Sequence, residues 1–290
     1  MKIKAMAKIN LSLDVLRRRE DGYHELRMIM QTINLYDELT ITKTKQTGIK
    51  LSCDQKWLPC DEHNLIYKAA KLLYDICDID TGVSIDLKKN IPIAAGMAGG
   101  SSDAAATLVG MNALFSLGLT TKELQKLGVK IGADVPYCIE GGTVLSEGIG
   151  EILTPVSKMP SCYVVIAKPH ISVSTKYVYE NLHANTLTYH PDVDGMIKAI
   201  EQEDMEQMAD KLGNVLETVT VNKYPELEKM KDCLRQNGAL GALMSGSGPT
   251  IFGLFKEKDT AQKAFDTLQA TGMVKQGCVT TMTDKNCVMN

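Results

Sequence analysis

The pattern of apolar and polar positions predicts a chain that mixes strands and helices. Apolar side chains alternate with polar ones from Lys2 to Ile9, which predicts a half-buried strand. From Asn64 to Ile76 the apolar residues recur at helical spacing, and Val83–Leu87 returns to a strand pattern. Because strands and helices do not alternate strictly, the pattern favours an α+β fold over a doubly wound sheet.

The remaining segments with a clear pattern complete this outline. Further strands are predicted at 28–35, 38–42, 49–52, 142–145, 163–167, 242–244, 251–255 and 278–282. Further helices are predicted at 102–115, from 121, and at 175–181, 194–201, 205–212, 225–236 and 259–271. Two prolines and a serine between Thr154 and Pro160 predict a boundary that divides the chain into domains 1–155 and 156–290.

Composition narrows the classes of protein that the chain can represent. Its 290 residues suggest about two domains, and a net charge of −3 without a basic stripe argues against nucleic-acid binding. No stretch of about 20 apolar residues is present, and the first residues lack a signal core, so we expect a cytoplasmic protein without a membrane partner. The eight cysteines form no C-x-x-C pair and are expected to be reduced, mostly buried thiols. The short runs Arg17–Arg19 and Lys88–Lys89 are expected in solvent.

A glycine-rich segment, Ile91–Ala106, offers the clearest chemical signal. Gly96, Gly99 and Gly100 permit a tight turn with uncovered backbone N–H groups, and Ser101 or Ser102 is suited to cap a following helix. The positive end of that helix would point at the loop, which predicts an anion site, most plausibly for phosphate. A plain turn that connects a strand to a helix is the alternative.

The loop departs from the common nucleotide motifs. No lysine precedes Ser101, so it is not G-x-x-x-x-G-K-[ST]. It is not G-x-G-x-x-G either, and protein-kinase signatures are missing from the sequence. Because no lysine or arginine lies between Ile91 and Val109, the counter-charge for a phosphate must come from elsewhere in the chain or from a metal ion.

Three other segments gain meaning beside this loop. Taken alone, Lys8 on the first strand would be a solvated lysine. Pro136 is expected to keep Val135 extended and so to hold Asp134 in a firm turn, where an isolated aspartate would cap a helix or face solvent. The segment Met244–Thr250 could be a simple hairpin turn or a second backbone close to a ligand. Together, a phosphate loop, a lysine on a strand and a fixed aspartate are the parts that phosphoryl transfer requires.

These motifs resemble the GHMP small-molecule kinase superfamily over nearly the whole chain. The resemblance is strongest to the family that phosphorylates a cytidine-diphosphate-linked methylerythritol in the non-mevalonate isoprenoid pathway. It rests on five ordered segments: 7–11, 21–26 (Asp-Gly-Tyr-His-Glu-Leu), 91–103, 132–136 and 246–250. It implies an N-terminal ribosomal-protein-S5-like domain and a C-terminal ferredoxin-like domain. The implied activity transfers the γ-phosphoryl of ATP to the 2-hydroxyl of that substrate.

The resemblance also implies roles for individual residues. Asp134 would act as base or orienter with Lys8 beside it, Tyr23 and His24 would contact the cytosine, and Asn10 would hold the erythritol. Thr175 and Tyr179 are further implied substrate contacts, and Ser102 is an implied Mg²⁺ contact. ATP phosphates would be wrapped by Pro92, Ile93, Ala94, Ala95, Gly96, Met97, Ala98, Gly99, Gly100, Ser101 and Ser102. The expected partners are small molecules only, with the chain a monomer or a homodimer.

One departure and two alternatives accompany this interpretation. Ala94, Ala95 and Ala98 stand where the superfamily commonly has glycine, and since alanine disfavours positive φ, a stiffer loop is expected. A kinase for homoserine or mevalonate would have the same loop but would not explain Gly22-Tyr-His-Glu. A nucleotide or sugar sensor without turnover is the alternative outside enzymes, and such proteins typically lose the aspartate or the loop.

Overall fold

Two long neighbouring strands form the centre of the first sheet. The structure, a computed structural model, describes residues 1–289. Strand β1 (Lys2–Arg18) pairs antiparallel with β2 (His24–Thr44), and the register shifts at three bulges along the pair. From Ala5 to Val15 every residue of β1 is buried, so both faces of the strand are covered and the alternation that marks a half-buried strand ends at Ile9. The alternation therefore predicted the first half of β1 as a strand, but the prediction that it is half-buried is wrong from Ala5 onward.

The rest of the first half adds further strands to this sheet and helices that pack against it. In chain order they are β3 (Ile49–Cys53), α1 (Leu65–Ile76), β4 (Gly82–Lys88), α2 (Gly99–Phe115), α3 (Thr121–Val129), α4 (Val135–Glu140), β5 (Thr143–Gly148) and β6 (Ile152–Pro155). β4 lies between β2 and β3 in the sheet. The parallel strands β3 and β4 are connected by α1. β5 pairs with both β2 and β6. Helix α2, which follows the glycine-rich loop, is buried against β1 and β2 and packs against α1.

The second half is built on a four-stranded antiparallel sheet. Its strand order is β11 (Val274–Thr281), β7 (Tyr163–Pro169), β10 (Ile251–Phe255) and β9 (Gly241–Met244). The intervening elements are α5 (Thr175–Glu180), α6 (Val193–Glu201), α7 (Met205–Asp210), β8 (Gly213–Asn214), α8 (Glu217–Lys223), α9 (Glu226–Gln236) and α10 (Lys258–Ala270). Helices α9 and α10 pack against this sheet.

Two short strands of the second half return to the first sheet. β8 pairs parallel with β1 at Ser12 and Leu13, and β12 (Val288–Met289) pairs antiparallel with β1 at Ile3 and Lys4. These pairings join the two halves along one strand. The division at residue 155 stays a prediction.

Local capping signals explain several helix starts. The Asn64 side chain accepts the N–H of Ile66 at 2.9 Å, which fixes the start of α1. Thr120 and Glu123 form a reciprocal capping box at α3. The predicted α+β class is confirmed, and most helices begin within two residues of their predicted positions. The strands predicted at 28–35 and 38–42 are in fact one strand, and the short elements α4, α8, β6, β8 and β12 were not predicted.

The structure tests two expectations from composition, the burial of the cysteines and the lack of a membrane-spanning segment. All eight cysteines are free thiols, but only Cys138, Cys162 and Cys287 are buried, so the expectation of mostly buried thiols is wrong. Within residues 1–289, no helix is both long and apolar enough to span a lipid bilayer.

Candidate active site

A cavity of about 930 Å³ collects nearly all of the predicted site residues. Both halves of the chain line it, because Thr175, Tyr179 and Gly246 of the second half face residues of the first half. Every predicted site residue except Ser102 contributes to the wall: Lys8, Asn10, Tyr23, His24, the loop from Pro92 to Ser101, Asp134, Thr175 and Tyr179. Segments far apart in sequence therefore share one space.

The glycine-rich loop enters helix α2 earlier than predicted. The helix starts at Gly99 rather than at Ser102, and its N-cap is Ala98, which makes no side-chain cap hydrogen bond. The prediction that Ser101 or Ser102 caps the helix is therefore wrong. Because the first amides of a helix have no partner within it, the N–H groups at Gly99 and Gly100 remain available at the cavity wall.

Two alanines of the loop adopt the backbone conformation that glycine usually takes. Ala94 has a φ of 50° and Ala98 a φ of 56°. The expectation that alanine would impose negative φ here is wrong for these two residues. The left-handed conformation costs an L-residue about 1–2 kcal/mol, so the surrounding packing must hold the loop in this shape.

The hydroxyl of Ser102 points away from the cavity. It donates to the backbone oxygen of Met6 at 2.6 Å, and the residue is fully buried and absent from the cavity wall. Ser102 thus ties α2 to β1. The structure does not place it where it could contact a metal ion bound with phosphates.

A second glycine-rich turn packs against the first one. Ser245 Oγ donates to Gly96 O at 3.0 Å, and a β-carbon on Gly96 would lie 2.1 Å from the backbone oxygen of Ser245. On the other side, a β-carbon on Gly246 would lie 3.0 Å from Gly96 O. Asn214 holds the second turn by donating to the oxygens of Met244 and Gly246 at 2.8 Å each. Glycine is needed at both contact positions because the two backbones approach so closely.

Lys8 is buried at the centre of the site. Its ammonium donates to Asn10 Oδ1 at 2.7 Å and to Gly96 O at 2.9 Å, and only 4% of the residue is exposed. The expectation for an isolated lysine on this strand, that it faces solvent, is wrong here. Burial lowers the pKa of Lys8, and the negative charge of Asp134 partly opposes that shift. Of the three ammonium hydrogens, one is left to face a ligand.

Asp134 stands at the start of α4 beside this lysine. It is the N-cap of α4, but its side chain makes no cap hydrogen bond. Pro136 occupies the first turn of the helix, where its missing N–H costs nothing, and Val135 is helical, so the prediction of an extended Val135 is wrong. The carboxylate therefore lines the cavity within electrostatic reach of Lys8, although no N–O distance of 4 Å or less joins the two within residues 1–289.

A buried cluster of charges lies at the other side of the loop. Lys89 forms ion pairs with Asp103, at 2.8 Å, and with Asp37. Asp37 Oδ1 also accepts the backbone N–H groups of Asn90 and Ile91, so it fixes the start of the loop. Lys89 is almost fully buried, which contradicts the expectation that the Lys88–Lys89 run is solvated, although Lys88 is exposed.

Asp103 is the unusual member of this cluster. Its Oδ1 is buried without a hydrogen-bond partner, and the residue lines the cavity. Burial raises the pKa of Asp103 to about 8; Lys89 opposes this shift and Asp37 adds to it. The same two carboxylates outweigh the effect of burial on Lys89 and raise its pKa.

Aromatic rings define one end of the cavity. The rings of His24 and Tyr179 lie 5.1 Å apart, while Tyr23 is 60% exposed at the cavity mouth. Burial, together with the charge of Arg18, lowers the pKa of His24, so its ring is neutral at pH 7. Burial also raises the pKa of Tyr179, with a smaller contribution from Asp134. A neutral imidazole and a stacked phenol suit a planar polar ring.

A further part of the cavity wall, away from the segments singled out in the sequence, was not predicted. It is lined by Leu58, Pro59, His63, Asn64 and Leu65, together with Leu87 and Lys89. Apolar residues with a few polar groups are typical of a pocket for a small molecule. The Asp61-to-Leu65 stretch shows only a helix-start signal in sequence, because its position at the cavity depends on how α1 packs against α2.

Polar side chains join α5 to the second glycine-rich turn. Thr175 Oγ1 lies 2.8 Å from Ser247 Oγ, and Thr220 Oγ1 donates to Ser247 O at 3.2 Å. Asn10, the implied erythritol contact, uses its oxygen to accept from Lys8. The substrate roles of Asn10 and Thr175 stay predictions.

Comparisons with known proteins place the chain in a class. Residues 64–142 match the family model for the GHMP kinases N terminal domain, and residues 196–272 match that for GHMP kinases C terminal. The solved homoserine kinase from Cytophaga hutchinsonii superposes with a TM-score of 0.81 at 22% identity, covering 99% of this chain and 96% of its own. At that identity it shows a shared fold only. The fold is that of the GHMP small-molecule kinases.

More similar proteins narrow the class. A 4-diphosphocytidyl-2-C-methyl-D-erythritol kinase from Lachnoclostridium phytofermentans is 55% identical over 91% of this chain and 90% of its own length. The crystal structure of a 4-(cytidine 5′-diphospho)-2C-methyl-D-erythritol kinase has a TM-score of 0.83 at 33% identity, covering 97% of this chain and 99% of its own. The chain belongs to the 4-diphosphocytidyl-2-C-methyl-D-erythritol kinase family of GHMP kinases.

Proposed function

We propose that this chain transfers the γ-phosphoryl group of ATP to the 2-hydroxyl of 4-diphosphocytidyl-2-C-methyl-D-erythritol. The observation that carries the proposal is the meeting of Lys8, Asp134, the loop that begins α2, and the Tyr23–His24 segment in one cavity. GHMP kinases use ATP, and the named relatives act on the cytidine-linked alcohol. The pathway that the substrate serves is the non-mevalonate route to isoprenoid precursors.

The loop and the start of α2 are proposed to hold the ATP phosphates. Free amides at Gly99 and Gly100 and the positive helix end provide donors without adding charge. The nearest cations come from outside the loop, as its composition required: Lys8 on β1 and Lys89 after β4. Lys89 already pairs with Asp37 and Asp103, so Lys8 has the more direct role in stabilising charge on the transferred group.

Lys8 and Asp134 are proposed to act on the acceptor hydroxyl. In one version, Asp134 takes the hydroxyl proton late, as the new oxygen–phosphorus bond forms and the bond from the γ-phosphorus to ADP breaks. In the other, Lys8 stabilises the developing alkoxide charge, Asp134 aligns both partners, and the proton passes to an oxygen of the transferred phosphoryl group. Lys8 keeps one N–H free for the oxygen on which negative charge develops. Its lowered pKa and its burial make that hydrogen bond stronger than one in water.

The two cavity ends are proposed to separate the two substrates. The cytosine lies against His24, Tyr179 and the exposed Tyr23, where a neutral imidazole can donate or accept at the base edge. The adenine lies at the end lined by Leu58 and Leu65. This arrangement brings the terminal phosphate of ATP and the acceptor alcohol together between Lys8 and Asp134.

A magnesium ion is proposed to accompany ATP. Ser102 does not fit as a ligand, because it is fully buried outside the cavity wall and its hydroxyl donates to Met6 O. Asp103 fits, because its unpartnered Oδ1 is buried at the cavity wall, and a bound cation would displace the proton that burial favours and so give the carboxylate oxygen that Mg²⁺ prefers. When bound, the ion would neutralise charge on the β- and γ-phosphates. Cellular location and oligomeric state stay predictions.

An acceptor comparison tests the proposal. ADP release would be measured with ATP, Mg²⁺ and one alcohol at a time: the cytidine-linked methylerythritol, homoserine or mevalonate. We expect turnover with the first alcohol only, because the other two lack a ring for the aromatic end. Equal turnover with homoserine or mevalonate would refute the substrate assignment. Binding of the cytidine compound without ADP release would favour a sensor instead.

A further inference from the structure

We propose that residues 283–287 hold helix α4 in place and thereby position Asp134 for the reaction, with Asn286 as the main positioning residue. The inference rests on the proposed function, because it assigns Asp134 its role in phosphoryl transfer. No segment singled out from the sequence includes these residues, and none of them lines the cavity. Their effect on the reaction would therefore be indirect.

The 283–287 segment completes the end of α4. The Asn286 side-chain amide donates to Ile139 O at 2.9 Å, and the Cys287 thiol donates to Cys138 O at 3.6 Å. Carbonyls in the last turn of a helix have no partner within it, and here two consecutive ones are satisfied by this segment. Asn286 also packs closely on Gly141, the residue after α4, because a β-carbon on Gly141 would lie 2.6 Å from Asn286 Cβ.

The segment is itself fixed to β2. Thr283 N donates to Thr32 O at 3.0 Å, and Gln31 Nε2 donates to Thr283 O, also at 3.0 Å. The Thr32 hydroxyl accepts the N–H of Gly142 at 3.0 Å and contacts the buried hydroxyl of Tyr137 at 2.9 Å. Because Tyr137 gives its proton to Gly142 O, Thr32 donates to Tyr137. Helix α4 is thus held between β2 and the segment.

The position of α4 decides where the Asp134 carboxylate points. Asp134 precedes the first residue of this six-residue helix, and its backbone oxygen accepts the N–H of Cys138 at 3.0 Å. Cys138 is the same residue whose carbonyl meets Cys287. The Asp134 side chain makes no cap hydrogen bond. The position of the backbone at the start of α4 therefore determines where its carboxylate lies in the cavity. A shift of about 1 Å in such a group can cost roughly a hundredfold in rate.

Substitution of Asn286 tests this role. Asn286→Ala removes the hydrogen bond, and Asn286→Asp removes the donor while keeping the size of the side chain. Asn237→Ala is a matched control, because Asn237 Nδ2 donates to Cys233 O at 2.8 Å at the end of α9, and Asn237 does not line the cavity. Turnover and KM for both substrates would be measured, together with amide hydrogen exchange across α4.

The expected result separates positioning from general stability. Both Asn286 variants should lose roughly tenfold in kcat, with KM for ATP and for the cytidine substrate changed less than about twofold, and with faster exchange in α4. Asn237→Ala should lose similar stability and keep its kcat.

Three outcomes would overturn the inference: kcat unchanged in the Asn286 variants, an equal loss in Asn237→Ala, or KM rising in place of kcat falling. An unmodified chain that is inactive on the cytidine substrate would instead refute the proposed function. Exchange in α4 would then still decide whether Asn286 holds the helix.

Discussion

Replacing Gly96 by alanine is expected to damage both stability and activity, because the second glycine-rich turn crowds this position. Gly96 has a φ of +72°, which disfavours any L side chain. A β-carbon there would lie 2.1 Å from the backbone oxygen of Ser245, whereas ordinary contact begins near 3.4 Å. The two turns would have to separate by the difference, about 1.3 Å.

The magnitude follows from two contributions. The left-handed backbone costs alanine about 1–2 kcal/mol, and overpacking against backbone atoms costs about 1–3 kcal/mol more. We therefore expect Gly96→Ala to lose about 2–5 kcal/mol of unfolding free energy. Gly118 supplies the control, because it has a φ of +73° with nothing within 4 Å of a β-carbon. Gly118→Ala should lose only the backbone contribution.

Urea unfolding and steady-state kinetics would measure both effects. A displacement of about 1 Å in the loop that holds the phosphates predicts a loss of roughly 10²-fold in kcat/KM for Gly96→Ala. Gly118→Ala should stay within about twofold of the parent, because it touches no part of the cavity. The reasoning is refuted if the two variants lose equal stability, or if Gly96→Ala retains the parent's kcat/KM.

Three further predictions concern residues of the cavity. Asp134→Asn is expected to lower kcat at least ~10²-fold with little change in KM, because an amide cannot take the hydroxyl proton; near-normal turnover would reject the role. Tyr23→Ala and His24→Ala should weaken binding of the cytidine substrate far more than binding of ATP in calorimetric titrations, and equal weakening would contradict the cytosine assignment. Asp103→Asn should flatten the pH dependence of stability. With its pKa raised to about 8 from an ordinary 3.8, Asp103 keeps in the folded protein a proton that the unfolded chain releases, so the parent loses stability as pH rises between these values. Urea unfolding at pH 5 and pH 8 would check this, and an equal pH dependence in parent and variant would show that Asp103 is not the group responsible.

The sequence alone determined the features that depend on neighbouring residues. The start of α3 at Thr121, the apolar spacing of α1 and the succession of a glycine-rich loop and a helix at α2 are local signals, and the structure retains them. The ordered motifs also led to the GHMP kinase family, which the comparisons confirm. Such signals survive because they depend on backbone geometry within a few residues.

Other features were decided by packing between distant segments. Lys8 has the pattern of a solvated lysine, yet the glycine-rich loop and the second glycine-rich turn lie against it, and its ammonium donates to Gly96 O as well as to Asn10 on its own strand. Lys89 is buried for the same kind of reason, since Asp37 and Asp103 meet it from β2 and α2. Apart from Asn10, the partners of both lysines come from distant segments, and the residues beside the lysines give no sign of them.

The limits of local prediction are clearest at the ends of elements. Ser102 has the right side chain to cap a helix, but its hydroxyl donates to Met6 O of β1. Helix α2 begins three residues earlier, at Gly99, with Ala98 as its N-cap in the left-handed conformation. The 283–287 segment has no distinctive pattern, yet it completes α4 and meets β2. Sequence specifies which residues can carry the chemistry. Tertiary packing decides which of them are buried, paired and aimed at one cavity, because burial and electrostatic interaction depend on neighbours that folding brings from far along the chain.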